Sequence, residues 1–159
     1  MSNDPIASPP AAGGRALVCR VGGRLCAIPL AHVVETMRPL PVVALFDMPS
    51  FVLGVAVIRG EPTPVVALGN LLGALHGAPM RFVTVRVGPR TVALAVDAVI
   101  GVRDLAAMAT VDLPPLLGEA STEVLSRMGA LDSELLVVLQ SAGRVPETLW
   151  QDISAERTA

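Results

Sequence analysis

The sequence predicts a mainly β fold made of two small fused barrels with a few short helices. Three observations predict it. Short runs rich in Val, Leu and Ala recur between Gly, Pro and Asp breaks, the punctuation of brief strands. The segment RVGGRLCAI at 20–28 returns as RVGPRTVAL at 86–94, 66 residues later, so the chain reads as two related halves. Helical signal is confined to three short stretches. Closed or nearly closed barrels hide the unpaired edges that short strands otherwise expose.

Composition narrows the function classes. The chain has 159 residues, of which 52% are hydrophobic, enough to fill a core. Twelve basic residues face 14 acidic ones, for a net charge of −2, so no basic field draws the chain to nucleic acid. Three Phe, one Trp and no Tyr leave no stacking platform for single strands. Proteins are therefore the expected partners. Uncharged apolar runs such as 51–58 fall far short of the roughly 20 residues that cross a bilayer, so no membrane insertion is expected.

The elements follow in order. Residues 1–15, with Asp4 and three prolines, lack the basic and apolar regions of a secretory signal and read as a disordered tail. In ALVCRVGGRLCAI the pair Gly22-Gly23 predicts a two-residue hairpin turn. Counting outward sets Cys19 opposite Cys26, on one apolar face with Leu17, Val21 and Ile28. Val18, Arg20, Leu25 and Ala27 point the other way. Buried thiols are the expected state of the two cysteines. With only two distant histidines beside them, no zinc-ligand spacing arises, and no metal or cofactor is predicted.

Residues 30–37, before Pro39, are expected to be helical, as are 68–75 between Gly69 and Gly77. Between them, FVLGVAVIRGEPTPVVAL at 51–68 is an apolar stretch broken once, at Arg59-Gly60-Glu61. It predicts a hairpin over 54–68 whose charged turn places Arg59 at a barrel rim. The echo continues in the second half, where Val96, Val99 and Ile100 answer Leu30, Val33 and Val34. A last hairpin over 124–140 turns at Asp132-Ser133, and 147–157 predicts a helix that docks Leu149, Trp150 and Ile153 on a barrel. The halves run roughly 16–80 and 81–145, with a short helix or tail at 146–159.

Four segments in this order resemble the CheW-like coupling domain of bacterial chemotaxis. They are RVGGRLCAIPLAHVVETMRP, PSFVLGVAVIRGEPTPVVAL, RTVALAVDAVIGV and STEVLSRMGALDSELLVVL, and the resemblance spans residues 16 to 140. It implies paired, interleaved five-stranded SH3-like or OB-like barrels in a cytoplasmic adaptor without catalysis, placed at receptor arrays. Such an adaptor joins the cytoplasmic tip of a methyl-accepting receptor to a CheA-type histidine kinase through the kinase's own related regulatory domain. Carried over as partner-binding positions are Glu35 and Arg59, with Val33, Gly54 and Gly60 beside them. A carboxylate and a guanidinium at a rim can hold a turn in one pose. The resemblance also implies a groove between the barrels for receptor helices, with Val33, Val99 and Ile100 as its candidates.

The chain departs from the family pattern at Val57, Ala67 and Ala98, where Asn, Asp and Gly are common. These departures bear on which receptor or kinase is served, and pili-type chemosensory pathways stand beside flagellar ones. A second reading is a free-standing regulatory double barrel that binds a small apolar ligand or another signalling partner. Catalysis has little to rest on. His32 and Glu35 are spaced as a base and its orienter, but no Ser or Cys nucleophile, phosphate loop or nucleophile elbow accompanies them.

Overall fold

Two-residue turns organise the chain. Gly22 and Gly23 take φ of +56° and +81°, the left-handed pair that matches the twist of the strands they join. They connect β1 (Arg15–Val21) to β2 (Arg24–Pro29), and Cys19 lies opposite Cys26 in the register. The echoed segment forms the same hairpin, β6 (Arg81–Val87) and β7 (Arg90–Val96), turning at Gly88 with φ of +61°. A third hairpin, β4 (Val52–Ile58) and β5 (Glu61–Ala67), turns on Arg59 and Gly60, so Glu61 opens a strand instead of belonging to the turn. The computed structural model describes residues 14–71, 80–107, 111–112, 125–131, 134–139 and 145–158. The predicted tail at 1–15 lies outside these as far as residue 13, and Arg15 already belongs to β1.

The remaining strands are β3 (Val33–Met37), β8 (Ala98–Asp104), β9 (Val111–Asp112), β10 (Leu125–Leu131) and β11 (Glu134–Leu139). The last hairpin pairs β10 with β11, while its expected turn at Asp132-Ser133 lies outside the described residues. One sheet runs β8-β1-β2-β11-β10-β9 and the other β3-β6-β7-β5-β4, which makes the protein mainly β in two subdomains. The sixth strand of the larger sheet is only the two-residue β9. Each sheet takes its opening hairpin from one half of the sequence and its other strands from the other half. Asp97 fastens this exchange: its carboxylate accepts from the Gly22 amide at 2.8 Å, and its own amide donates to the Arg20 carbonyl at 3.0 Å.

The helix expected over 30–37 is corrected. Only Leu30–His32 makes a 3-10 turn, and the rest is β3. Val33, Val34 and Thr36 are β-branched, alternate residues of β3 are half-buried and exposed, and pairing with β6 outweighs a weak helical preference. The next stretch holds α1 (Leu68–Leu71), while 72–75 lie outside the described residues. The C-terminal helix is α2 (Glu147–Thr158).

The main core lies between the sheets. Leu17, Cys19, Val21, Cys26 and Ile28 of the first hairpin meet Val83, Val85, Val92, Leu94 and Val96 of the second. The face of the first hairpin that was expected to point away is buried too. Val18, Leu25 and Ala27 pack with Ala16, Leu105 and Val138, and only Arg20 reaches the surface, where Glu134 meets it at 3.0 Å. A third cluster, centred on Phe82, fills the five-stranded sheet with Ala56, Ile58, Val65, Ala93 and Ala95. Each such fully buried large side chain contributes about 1.5–3 kcal/mol through removal from water. Leu149 and Ile153 of α2 pack on Val52 beside Phe51 and Trp150, as the sequence predicts.

Candidate functional site: a pinned turn and an apolar face

Arg59 takes φ of +55°, a left-handed conformation that residues other than Gly rarely adopt. Gly60 follows at +78°, and the two form the type I′ pair that a tight hairpin demands. The conformation sends the Arg59 guanidinium onto Glu35, with Nε donating to Oε2 at 2.9 Å and Nη2 to Oε1 at 2.6 Å. This is the two-pronged fork that Arg alone can present to a carboxylate. The fork holds the Glu35 carboxyl below its ordinary pKa and raises that of Arg59.

Glu35 is positioned by β3. A bulge between Val33 and Glu35 interrupts pairing with β6, and the buried Thr84 hydroxyl donates to the Glu35 carbonyl at 3.3 Å. Because β3 and β4 are the two edges of the five-stranded sheet, the ion pair ties one edge to the hairpin at the other. It acts as a clasp across the seam. No corresponding acid stands in the other half, where the position 66 residues after Glu35 is Gly101.

The other predicted positions separate. Gly60 is exposed, and a side chain there would meet nothing. Gly54 is buried under the crossing segment at 43–44, with φ of +146°, and an added Cβ would overlap the Val43 carbonyl. Its lack of a side chain lets Val43 pair with Val55 through two backbone hydrogen bonds of 2.8 and 3.0 Å. Val33 of β3 and Val99 of β8 each pack half-buried on the core between the sheets, and Ile100 is 40% exposed.

A feature missed in the sequence is an exposed apolar face beside the pinned turn. Val43 is 67% exposed and Val57 65%, with Leu45 also at the surface, and Phe46, next to Leu45 in the chain, is 93% exposed. Val43, Leu45, Val55, Val57 and Pro62 line one side of a groove of about 560 Å³, and Leu149, Asp152 and Ile153 of α2 line the other. The signal available was RPLPVVALFDMP at 38–49, where hydrophobic residues sit between prolines that block regular structure and so stay near the surface. The three departures also sort by position. Val57 adds apolar surface to this face, Ala67 is fully buried, and Ala98 is exposed at the start of β8.

Acid and base chemistry finds little purchase. His32 is exposed in its 3-10 turn, while Glu35 is committed to Arg59. Burial pushes the Cys19 thiol up to about 12 and raises Cys26 further, so neither is a ready nucleophile. Among the described residues no group of three or more His, Cys, Asp or Glu is arranged to hold a metal, and no helix is long and apolar enough to cross a membrane.

Comparison with known proteins agrees with this architecture. Residues 15–145 match the model of the CheW-like domain. Protein FrzA of Myxococcus xanthus is 32% identical over 127 residues, covering 78% of this chain and 72% of FrzA. The crystal structure of the scaffolding protein TtCheW from Thermoanaerobacter tengcongensis superposes with a TM-score of 0.69 at 19% identity, over 81% of this chain and 90% of that one, a likeness of fold. With two exchanged β subdomains and a family match over most of its length, the chain belongs to the CheW-like domain family.

Proposed function

We propose that this chain is a cytoplasmic coupling scaffold of a chemosensory array, joining the cytoplasmic tip of a methyl-accepting receptor to a histidine kinase. The observation that carries the reading is the apolar face of Val43, Leu45, Val55 and Val57, set beside a turn clasped by Glu35 and Arg59 and extended along the chain by the exposed Phe46. Such exposed apolar side chains are a cost in water that a partner barrel removes. Strand β4 is an edge strand, crossed only at Val43 and Val55, so the kinase's related regulatory domain can align an edge of its own with it. Arg59 and Glu35 fix the height and angle of the β4–β5 tip against that partner, and Gly60 leaves room at the tip for close approach. Gly54 serves the same surface from beneath by letting residues 43–44 cross.

The receptor's helical hairpin is assigned to the other region, around Ile100, with Val33 and Val99 giving it a floor continuous with the core. Weak contacts of this kind suffice in an array, because neighbouring contacts raise effective concentration.

One observation favours a second reading, a regulatory barrel that binds a small apolar ligand: a groove of about 560 Å³ falls in the size range of ligand sites. Titration of the kinase regulatory fragment into wild type and R59A, with a metabolite set run alongside, separates the two. The scaffold reading expects saturable binding to the kinase fragment, weakened in a folded R59A. Stabilisation by a small molecule with no kinase or receptor binding would favour the second reading.

A further inference from the structure

The groove beside the pinned turn has two walls of different kinds. One is β-sheet and its crossing segment, held by ladder hydrogen bonds. The other is α2, whose docking among the described side chains is carried by Leu149, Trp150 and Ile153 on Val52 and Phe51. Among its described side chains only Leu149 and Ile153 are buried, with Trp150 half-buried. A helix of 12 residues has little stability of its own in water, so something else must hold it in place.

Arg90 does so. It is the first residue of β7, just after the Gly88 turn, and it belongs to neither wall of the groove. Its Nη1 and Nη2 donate to Oε2 and Oε1 of Glu147 at 3.2 and 3.0 Å. Its Cζ lies 4.6 Å from the ring centroid of Trp150. One planar group thus grips the first turn of α2 by a two-pronged ion pair and by stacking on an aromatic face. The Glu147 carboxylate also sits in the first turn, where the helix dipole favours it. Lys in place of Arg would keep the charge and lose both the fork and the flat face.

We infer that Arg90 is a positioning residue for the partner groove: by clamping Glu147 and Trp150 it sets α2 as the wall that carries Leu149, Asp152 and Ile153. This rests on the proposed scaffold function only for the identity of the occupant, the kinase regulatory domain. The clamp itself can be read without any partner.

The test compares wild type, R90A, R90K and E147Q, with R103A on β8, in the other sheet, as a control. Three quantities are measured: acrylamide quenching of Trp150, amide exchange across α2, and affinity for the kinase regulatory fragment. R90A is expected to raise quenching and speed α2 exchange while exchange in β1, β2, β6 and β7 stays at the wild-type rate. Its affinity for the fragment should fall roughly tenfold, the scale of one lost ion pair with stacking. R90K is expected to lie nearer R90A than wild type, and R103A to match wild type throughout. Unchanged quenching and exchange in R90A would overturn the clamp. A loosened α2 with undiminished affinity would overturn its role in the groove. If wild type itself binds no fragment, the scaffold reading fails, and quenching and exchange still decide whether Arg90 sets the wall.

Discussion

At the scale of single residues, the account turns on Arg59. Its backbone is in a region that suits Gly, and its side chain is fixed by Glu35, so the two effects can be separated by substitution. R59A keeps the backbone strain and loses the clasp, whereas R59G loses the clasp and relieves the strain. Thermal denaturation is expected to rank R59G above R59A, and both are expected to bind the kinase fragment more weakly than wild type. If R59G binds like wild type, the clasp has no part in recognition. Exchanging the charges, as E35R with R59E, recovers part of the binding only if the two residues act through each other.

Titration adds a second test at this scale. Glu35, Glu134 and Glu147 all have carboxyl pKa values lowered by arginine partners. A depressed folded-state pKa contributes stability that is present above the unfolded value, near 4.3, and is lost as pH falls through the folded value. Trp150 emission, which reports the Arg90 clamp, is therefore expected to hold steady from neutral pH down to the ordinary carboxylate range and to change below it. A change between pH 6 and 8 would contradict the assignment to Glu147. The thiols behave in the opposite sense. Cys19, pushed up to about 12 by burial, stays protonated at neutral pH, and both thiols are expected to resist modification until the protein unfolds.

At the scale of elements, Gly54 and Phe82 carry distinct predictions. G54A forces a Cβ into the Val43 carbonyl at a left-handed φ, so the 43–44 crossing must lift from β4. A loss of more than about 2 kcal/mol in denaturant unfolding is expected, among the larger effects a single backbone position gives. F82A empties the centre of the five-stranded sheet and is expected to cost about 3–5 kcal/mol. By contrast F46S, at a side chain almost wholly in water, is expected to leave stability within about 0.5 kcal/mol of wild type while weakening the kinase contact. Equal binding by F46S would remove Phe46 from the interface.

The first hairpin was legible in the sequence because its two-residue turn announces itself: Gly22-Gly23 fixes the register and Cys19 falls opposite Cys26 as counted, whereas the break read as Arg59-Gly60-Glu61 is the shorter turn Arg59-Gly60 with Glu61 already paired to Ile58. β3 was not, because residues 30–37 are short and their strand form is decided by a partner, β6, some 50 residues away. Burial of both faces of the first hairpin was hidden for a similar reason, since Leu105 and Val138 come from the far half. The Glu35 and Arg59 pair was named from family likeness, and the structure gives it geometry. The face of Val43, Leu45 and Val57 escaped because exposure in a proline-bounded loop is a property of the fold.

At the scale of the whole molecule, the two halves exchange strands so thoroughly that neither sheet is complete without both. Unfolding is therefore expected to be a single cooperative transition, with tryptophan emission and far-ultraviolet circular dichroism coincident. The near-repeat is also asymmetric where it counts: the five-stranded sheet has a clasp at its seam, and Gly101 holds the position of the missing acid in the other. One subdomain thus presents a clasped rim and the other an unclasped edge with Ile100 exposed, and the proposed scaffold role assigns a different partner to each. The measurement that tests this most directly is kinase activity in a reconstituted array of receptor fragment, kinase and this chain. Receptor-dependent control of the kinase is expected on adding wild type and is expected to be lost with R59A at equal fold. Receptor control that is identical with and without the chain would contradict the scaffold account.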